Sequence, residues 1–506
     1  MNDNARRQQQ HTPVENQRPS RRDLLKIGLG TLSMTMVSET AKAEKPDDPP
    51  YNAMGERVGE VTHTSAIVHT RLTKYPVRNV NGFRFIGAKH GTPVRKIRHL
   101  PGGMTVDQLE GACPGSAGAV RLWLGRTPTL KDAQPSEWKR VDPGRDFTQT
   151  FALDHLEPET TYYYAVEMAR EPSGSSRRGP TGTFRTAPPP DSWRKVTFAI
   201  STCEHYVCQD HPDGYRSYLS MKKLNPAFLV STGDSVYYDN EPPFANTVPV
   251  ARFHWHRMYS LASIKGFFQT SPGYWMKDDH DTLCNACWPT MDSPRSAPLT
   301  FSQGQQIFLD EVPMGERTYR HYKWGKAVEI WMMEGRDFRS PNTMPDHPGK
   351  TIWGKKQKEW LKRTVLQSDA DFLILISPDP IVGPDRKNKH DNHSNAAFAT
   401  EGNEIRQWIQ KNRPDNLFVA CGDRHWQYYS VDPETRVREF SCGPMSDAHA
   451  EGCPGYNHDY HWFLREKGGF LTVSIEGTET SPRIIFRHHD VNGGVVFQQE
   501  FAKRRA

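Results

Sequence analysis

Five short groups of polar residues follow apolar runs or lie in loops, and their side chains are of kinds that bind metal ions. Asp234 and Tyr237 follow the apolar run 227–230, and Asp423 and His425 follow the run 417–421. Open α/β sheets bind ligands at the carboxyl ends of their strands, so two strands that each end in Gly-Asp predict one shared site. The other three groups are Cys203 in STCEHY, the acidic segment KDDHDTLCN (277–285), and Met333-Glu334-Gly335-Arg336.

The mixture of side chains points to a metal centre. Asp, Asn and His ligands in one site are typical of a multi-metal centre that binds and polarises phosphate oxygens. Thiolate and phenolate both bind ferric iron, so the presence of Cys203 together with Tyr237 favours iron as one of the metals.

Each of these positions also has a plainer interpretation. The plainer alternative for Asp234 is a turn former, since Gly-Asp is common in loops, and Cys203 is compatible with a buried thiol or with half of a disulfide to Cys208. Tyr237 is compatible with a packing aromatic, with Tyr238 as the rival phenol. Likewise, His280 is either a general acid or a residue that contacts the metal ligands without transferring a proton.

The elements that must position these residues fall into two patterns, separated by APPPDSW (187–193). Before this boundary, short apolar runs alternate with turns and predict a β-sandwich domain over residues 55–187, with a long insertion at 74–118. The segment LEPETTYYYAV resembles a fibronectin-type-III-like strand junction. The predicted strands are 65–72, 120–125, 147–156, 160–168 and 182–186.

After the boundary, apolar strands alternate with helical patterns, which predicts a layered α/β domain over residues 194–502. The predicted strands are 196–202, 227–232, 327–333, 372–377 and 417–421, and the predicted helices are 214–224, 355–368 and 404–412. Two antiparallel runs at the end, 470–477 and 483–501, include an Asn-Gly-Gly turn.

Composition and charge exclude several classes of function. With 506 residues, 36% hydrophobic and 25% charged, the chain is typical of a globular protein. Its formal charge is +6, but the first 43 residues hold seven Lys or Arg and four Asp or Glu, so the remainder is near +3. This balance argues against bulk affinity for nucleic acid or membranes. Cys284 and Cys287 form a lone C-x-x-C that predicts a local disulfide or two buried thiols, since no second pair stands at zinc-finger spacing.

Residues 1–43 have the order of an export signal. The segment SRRDLLK is followed by a short apolar run and then by Ala41-Lys42-Ala43. The run is too short to span a bilayer. The paired Arg21 and Arg22 resemble the twin-arginine signal, which implies recognition by the twin-arginine export machinery and a periplasmic or extracellular location. The alternative is a disordered basic tail.

From Arg57 onward the chain resembles the alkaline phosphatase D (PhoD) family of secreted metallophosphoesterases, over nearly the whole mature length. The motifs that carry the resemblance are STCEHY for the family's S-C-Q, GDSVYYDN for its G-D-x-x-Y, KDDHDTLCN for its W-D-D-H-E with a downstream Asn, residues 317–339 for its segment ending in L-D-T-R-x-x-R, and GDRH for its G-D-x-H. The resemblance implies an N-terminal β-sandwich followed by a four-layer, calcineurin-like α/β metallophosphoesterase domain.

The resemblance also implies roles for individual residues. Ferric iron would be held by Cys203, Asp234 and Tyr237, with Asp234 bridging to calcium, and Asn285, Asp423 and His425 would complete the iron–calcium cluster. His280 would be the proton donor or a phosphate contact, with Asp279 as a ligand or as the residue that orients it. Arg336 could bind a phosphate oxygen bidentately. In the loop 377–395, Asp391 falls near an Asp of the family.

The chain departs from the family pattern mainly around the substrate. Lys277 stands where the family usually has Trp, Asp281 replaces Glu, and Glu334-Gly335 replaces Asp-Thr. The leading interpretation is an exported, metal-dependent phosphoesterase that hydrolyses phosphomonoesters, phosphodiesters or both with metal-activated water. The departures leave the substrate open, so the alternative is a phospholipase D-like or other ester hydrolase on the same scaffold. A non-catalytic surface binding protein is the third hypothesis.

Overall fold

The computed structural model describes residues 48–85 and 99–503, so the predicted export signal at 1–43 lies outside the described residues. The described residues of the first part of the chain form nine strands. They are β1 (Arg57–Gly59), β2 (Ala66–Arg71), β3 (Ala119–Gly125), β4 (Gln134–Pro135), β5 (Lys139–Arg140), β6 (Thr148–Leu153), β7 (Thr161–Ala169), β8 (Ser176–Arg178) and β9 (Gly182–Arg185).

The second part alternates strands and helices, as the sequence pattern predicts. Its first half contains β10 (Val196–Ser201), α1 (Arg216–Leu224), β11 (Leu229–Ser231), α2 (Val248–Tyr259), α3 (Ala262–Phe268), β12 (Gly273–Trp275), α4 (Phe301–Glu311), β13 (Arg320–Trp324) and β14 (Val328–Met332). Its second half contains α5 (Gly354–Gln367), β15 (Phe372–Ser377), α6 (Ala399–Asn412), β16 (Leu417–Cys421), β17 (Gln427–Val431), β18 (Arg438–Cys442), β19 (His461–Arg465), β20 (Phe470–Thr478), β21 (Ser481–His489) and β22 (Val495–Ala502).

Two sheets stack face to face at the centre of this second part. One has the strand order β22-β21-β20-β10-β11-β12-β1-β2-β6, and the other has the order β13-β14-β15-β16-β18-β17-β19. Because side chains alternate along a strand, Ile200 and Val230 point into the core shared with Ile374 and Phe418, whereas Ala199 belongs to a different core. The strands that carry the Gly-Asp turns therefore belong to two different sheets.

Helices cover the outer faces of both sheets. Helices α1 to α4 pack with Ala199 and Leu229 on the nine-stranded sheet, and α5 and α6 pack with Leu373 and Val419 on the seven-stranded sheet. The layers run helix, sheet, sheet, helix, and the predicted α/β fold class is confirmed. None of the helices in the described ranges has the length and apolar character that a membrane span requires.

The first part of the chain is joined to the nine-stranded sheet. Strands β2 and β6 pair with each other, and β1 pairs in parallel with β12 at Gly59 and Gly273. The six-stranded sheet formed by β3, β4, β5, β7, β8 and β9 faces them across a core that includes Val68 and Tyr164. The fibronectin-like character of this region and the domain boundaries at 55–187 and 194–502 stay predictions.

The three helices between β11 and β13 were not predicted from the sequence, and burial explains why. Nine of the twelve residues of α2 are buried, so its sequence has no polar face to set a helical period. Helix α4 did carry a usable signal, because Thr300 and Gln303 form a capping box at its start.

Candidate metal centre

The loops that follow β10, β11 and β16 meet at one edge of the two stacked sheets. Strands β10 and β11 are parallel neighbours, with Ser201 opposite Ser231, so Cys203 and Asp234 leave the same edge. The loop after β16 reaches them from the other sheet, where the backbone N–H of Asp423 donates to Thr202 Oγ1 at 3.3 Å. The structure thus brings together the two Gly-Asp turns that the sequence predicted to share one site.

The backbone is strained at each of these three strand ends. Cys203, Asp234 and Asp423 have φ angles of 57°, 55° and 58°, in the left-handed region that costs a residue with a Cβ atom about 1–2 kcal/mol. Such conformations persist where the surroundings impose them, and they cluster at functional sites. The three residues are therefore held in position by the fold.

Two glycines make the close approach of these loops possible. A Cβ atom on Gly233 would lie 2.6 Å from the Cβ of Asp278, and one on Gly422 would lie 2.4 Å from Thr232 Oγ1. Both contacts are far inside van der Waals distance. The glycine before each aspartate is needed to bring the neighbouring loop against it.

Asp234 is the centre of the cluster. Its Oδ2 accepts a hydrogen bond from Tyr237 at 3.2 Å and lies 3.6 Å from Cys203 Sγ, while its buried Oδ1 has no hydrogen-bond partner within residues 48–85 and 99–503. Three sets of side chains around it have ligand atoms within 4.8 Å of one another. They are Cys203, Asp234 and His425; Asp234, Asp279 and His280; and Asp234, Asp278 and Asp423.

The structure distinguishes between the two neighbouring tyrosines. The Tyr237 hydroxyl faces Asp234, whereas the Tyr238 hydroxyl accepts a hydrogen bond from Trp255 Nε1 at 2.7 Å. Tyr238 belongs to the core beneath α2. Of the two phenols, Tyr237 is therefore the one that faces the cluster around Asp234.

The cysteines near the site are thiols. Cys203 and Cys208 are both free, as are Cys284 and Cys287. Burial and the charge of Asp234 raise the pKa of the Cys203 thiol well above its usual value. Without a cation this sulfur stays protonated.

His280 is held by a carboxylate that sequence analysis did not single out. Its Nδ1 lies 2.5 Å from Asp239 Oδ1, and Asp239 Oδ2 accepts from the backbone N–H of Asn285 at 2.8 Å. Burial alone would lower the pKa of His280, but the carboxylates of Asp239, Asp279 and Asp234 outweigh it and raise that pKa well above 6.5. Asp239 lies five residues after Asp234, within GDSVYYDN, but outside the G-D-x-x-Y positions that carry the resemblance. The Asn285 side chain is exposed.

Arg336 is fully buried between two aspartates. Its Nε donates to Asp278 Oδ1 at 2.6 Å and its Nη2 to Asp379 Oδ1 at 2.8 Å, whereas its Nη1 has no hydrogen-bond partner in the described part of the chain. Arg339 pairs with the other oxygen of Asp379. Arg336 thus links two buried carboxylates, and its Nη1 makes no hydrogen bond to the described residues.

Two of the departures from the family pattern contact each other. Lys277 is buried, and its Nζ lies 2.9 Å from Glu334 Oε1 and 2.6 Å from Asp337 Oδ1. Glu334 Oε1 also accepts from the backbone N–H of Arg336 at 2.7 Å. The substitutions at Lys277 and Glu334 thus form one ion-paired unit behind Arg336.

A network of ion pairs and hydrogen bonds surrounds Asp423 and the loop that contains Asp385 and Asp391. The guanidinium of Arg424 contacts the carboxylates of both Asp423 and Asp385. Asp391 lies in the same loop as Asp385, paired with Lys389 at 2.9 Å, and its backbone carbonyl accepts a hydrogen bond from Arg339. Asp391 therefore belongs to the network around the site, and it is absent from the three sets of clustered ligand atoms.

His449 was missed by sequence analysis and lies beside the predicted ligands. Its Nδ1 is 3.2 Å from the carbonyl oxygen of Cys203, and its ring centroid is 4.0 Å from that of His425. Burial and this neighbouring histidine lower the pKa of His425 well below 6.5, so His425 is neutral and its nitrogens can bind a metal. No motif surrounds His449 in the sequence that could have marked it.

The donor set fits metal ions. Burial, and the neighbouring carboxylates of Asp279 and Asp278, raise the pKa of Asp234 well above 3.8 despite the opposing charge of His280. A cation would reverse this, because it favours the ionised form of each carboxylate, thiol and phenol around it. The buried Oδ1 of Asp234, which has no hydrogen-bond partner in the described ranges, is available to such a cation.

Comparisons with known proteins agree with this geometry. The family model described as PhoD-like phosphatase matches residues 198–462, which spans the loops just described. The chain belongs to the PhoD-like phosphatase family. Alkaline phosphatase D of Bacillus subtilis (strain 168) is 22% identical over 403 residues, which cover 70% of this chain and 66% of that relative's length.

Two solved structures resemble the fold of this family member. The structure of PhoD has a TM-score of 0.69 at 17% identity and covers 91% of this chain and 92% of its own. The purple acid phosphatase PPD1 from yellow lupin seeds has a TM-score of 0.58 at 12% identity, with 90% of this chain and 74% of its own covered. Both likenesses extend over the stacked sheets and the first part of the chain.

Proposed function

We propose that this chain is an exported, metal-dependent phosphoesterase of the alkaline phosphatase D type, which hydrolyses phosphomonoesters, phosphodiesters or both. The observation that carries the proposal is the position of Asp234. Its carboxylate belongs to each of the three sets of ligand atoms at the strand ends, as a residue that bridges two metal ions must. Membership of the PhoD-like phosphatase family supports the same activity.

The proposed metal ions are ferric iron and calcium. The thiol and the phenol near Asp234 suit ferric iron, and the surrounding carboxylate oxygens suit calcium. The residues proposed to hold them are Cys203, Asp234, Tyr237, Asn285, Asp423 and His425, with Asp279 as an additional ligand. When bound, such ions lower the pKa of a coordinated water and neutralise phosphate oxygens.

His280 is proposed to protonate the leaving group. Asp239 holds its Nδ1, which leaves Nε2 as the atom that faces a substrate. The raised pKa keeps the ring protonated at neutral pH, as an acid requires. Arg336 is proposed to donate from Nη1 to a phosphate oxygen, while Asp278 and Asp379 fix the plane of its guanidinium.

The remaining proposals concern the ends of the chain. Residues 1–43 would direct export through the twin-arginine machinery to the periplasm or beyond, after the protein has folded. The first part of the chain would be a fibronectin-like packing module.

The test is a paired assay of the purified, exported chain. Turnover of an aryl phosphomonoester and an aryl phosphodiester is measured with and without a chelator, alongside elemental analysis. We expect iron together with calcium, and turnover that the chelator abolishes and the two metals restore. A zinc-only protein would contradict the iron assignment. A fully metallated protein that cleaves neither ester would contradict the proposed activity.

A further inference from the structure

Asp278 is a buried carboxylate in which one oxygen is paired and the other is not. Its Oδ1 accepts from Arg336 Nε at 2.6 Å. Its Oδ2 has no hydrogen-bond partner among the residues that the structure describes, although the side chain is fully buried. A buried carboxylate oxygen without a donor is costly, so the unpaired Oδ2 calls for a positive partner.

The surroundings of Asp278 supply a place for that partner. Its ligand oxygen lies in one set with those of Asp234 and Asp423, all within 4.8 Å of one another. The Oδ1 of Asp234 is likewise buried and without a hydrogen-bond partner in the described ranges. Gly233 permits the approach, because any side chain there would collide with Asp278. Three carboxylates this close together, two of them with an unpaired oxygen, form an oxygen-lined site for a hard cation.

We propose that Asp278 is a further ligand of the metal centre, through Oδ2, and that Arg336 positions it. The inference rests on the proposed function, since it requires a metal ion at this site. The planar guanidinium occupies Oδ1, which leaves Oδ2 as the oxygen available to a cation shared with Asp234 and Asp423. Arg336 thus acts on the metal through Asp278, separately from any contact with phosphate.

Asp379 provides a matched control for Asp278. Both carboxylates accept a hydrogen bond from the same guanidinium, at 2.6 Å for Asp278 and 2.8 Å for Asp379. Both are buried. The difference is that Arg339 occupies the second oxygen of Asp379. A purely structural role through Arg336 would therefore make the two residues equivalent, and a ligand role would separate them.

The experiment measures calcium binding to the full chain. Wild type, Asp278→Asn and Asp379→Asn are stripped with a chelator and titrated with Ca²⁺ by calorimetry. We expect the Ca²⁺ affinity of Asp278→Asn to fall at least about tenfold and that of Asp379→Asn to change much less. Equal affinities in the two variants, whether both lowered or both unchanged, would overturn the proposal.

A second variant covers the case in which Asp278→Asn does not fold, as judged by near-ultraviolet circular dichroism. Asp278→Glu keeps the charge and displaces the ligand oxygen by one methylene, so the Ca²⁺ affinity should again change. An affinity equal to that of wild type would overturn the ligand role. Failure of the proposed function has a different signature, because wild type itself would then bind no metal and cleave no ester, and the inference would fall with it.

Discussion

Among the residues that the structure describes, two clusters gather carboxylates and a histidine to within 4.8 Å, and their surroundings differ. The first is the metal cluster at the strand ends, centred on Asp234. The second, here called the junction cluster, consists of Asp146, His256 and Glu311, which lie before β6, on α2 and at the end of α4. By ligand geometry alone, both would be candidate metal sites.

The two clusters differ in how the charges of their carboxylates are balanced. In the junction cluster, Arg71 forms a forked pair with Asp146 at 2.9 and 3.0 Å, and Arg57 donates to the backbone carbonyl of Glu311 at 2.6 Å. Two guanidinium groups thus stand beside two carboxylates. In the metal cluster, each nearby guanidinium is shared with a further aspartate, Arg336 with Asp379 and Arg424 with Asp385. The metal cluster is left with excess negative charge.

The pKa shifts express the same difference. Burial opposes ionisation of both Asp146 and Asp234. At Asp146 the charges of His256 and Arg71 overcome burial and hold the pKa well below 3.8. At Asp234 the neighbouring aspartates add to burial and the pKa is raised. Glu311 of the junction cluster differs from Asp146, because burial and the charge of Asp146 raise its pKa well above 4.5. The contrast is therefore between the two aspartates: the protein itself supplies cationic partners to Asp146, whereas Asp234 lacks a comparable partner in the described part of the chain.

The largest expected contrast is in catalysis. Asp234→Asn should lower the turnover of aryl phosphates on the order of 10³-fold, because it removes the carboxylate shared by the sets of ligand atoms. Asp146→Asn, the same change in the junction cluster, should leave the turnover per folded molecule near that of wild type. The measurement is kcat with active-site metal content determined in parallel. Comparable losses of kcat in Asp234→Asn and Asp146→Asn would contradict the distinction between the two clusters.

The second contrast is in stability. Asp146→Asn leaves the buried guanidinium of Arg71 without its forked partner, so the free energy of unfolding should fall by about 3 kcal/mol. The bound metal should not change. Denaturant unfolding of the metal-loaded protein measures the fall. The exposed pair Arg140–Glu171 gives the control, since Glu171→Gln should have no measurable effect. A drop in metal content in Asp146→Asn would assign a metal to the junction cluster.

The smallest contrast is in pH dependence next to the junction cluster. Burial and the charge of Arg57 lower the pKa of His69 to about 3. His69 is thus kept neutral in the fold, while the unfolded chain takes up a proton below about pH 6.5. Its contribution to stability is present above pH 6.5 and is lost as the pH falls towards 3.

Between pH 7 and pH 5 this loss amounts to about 2 kcal/mol. His69→Gln should remove that part of the acid sensitivity, so the difference in unfolding free energy between wild type and variant should shrink by this amount at pH 5. The exposed His347→Gln serves as the matched control. If the difference in unfolding free energy between wild type and His69→Gln stays constant across this pH range, the result contradicts the lowered pKa of His69.

The alternation of strands and helices was predictable because it depends on local periodicity. Strands β15 and β16 coincide with the predicted runs, and α1 and α5 begin and end within two residues of their predicted bounds. Helix α2 was not predictable in this way, because its surroundings bury it on nearly all sides. Where the fold buries a helix on nearly all sides, including polar residues such as His256 and Arg257, the sequence contains no periodic signal.

For the site, the sequence predicted several of the side chains that meet but not how they are paired. Cys203, Asp234 and His425 follow strand ends, and strand ends share an edge, so their meeting follows from local pattern. The sequence marked Asp278 only as a member of the acidic segment 277–285, and Arg336 as a residue that binds a phosphate oxygen. Their direct pairing joins positions 58 residues apart, which no local pattern encodes.

By itself, the sequence determined the fold class, the family motifs and the set of residues available to a metal. Only the tertiary structure decided which tyrosine faces the cluster, which histidine is held by Asp239, and which carboxylate oxygens are left unpaired. The physical reason is that a motif consists of residues adjacent in the sequence. The charge balance at a site, in contrast, depends on all the charged side chains that the fold brings together from both sheets. Asp146 and Asp234 are the same amino acid, and their surroundings alone give them opposite pKa shifts.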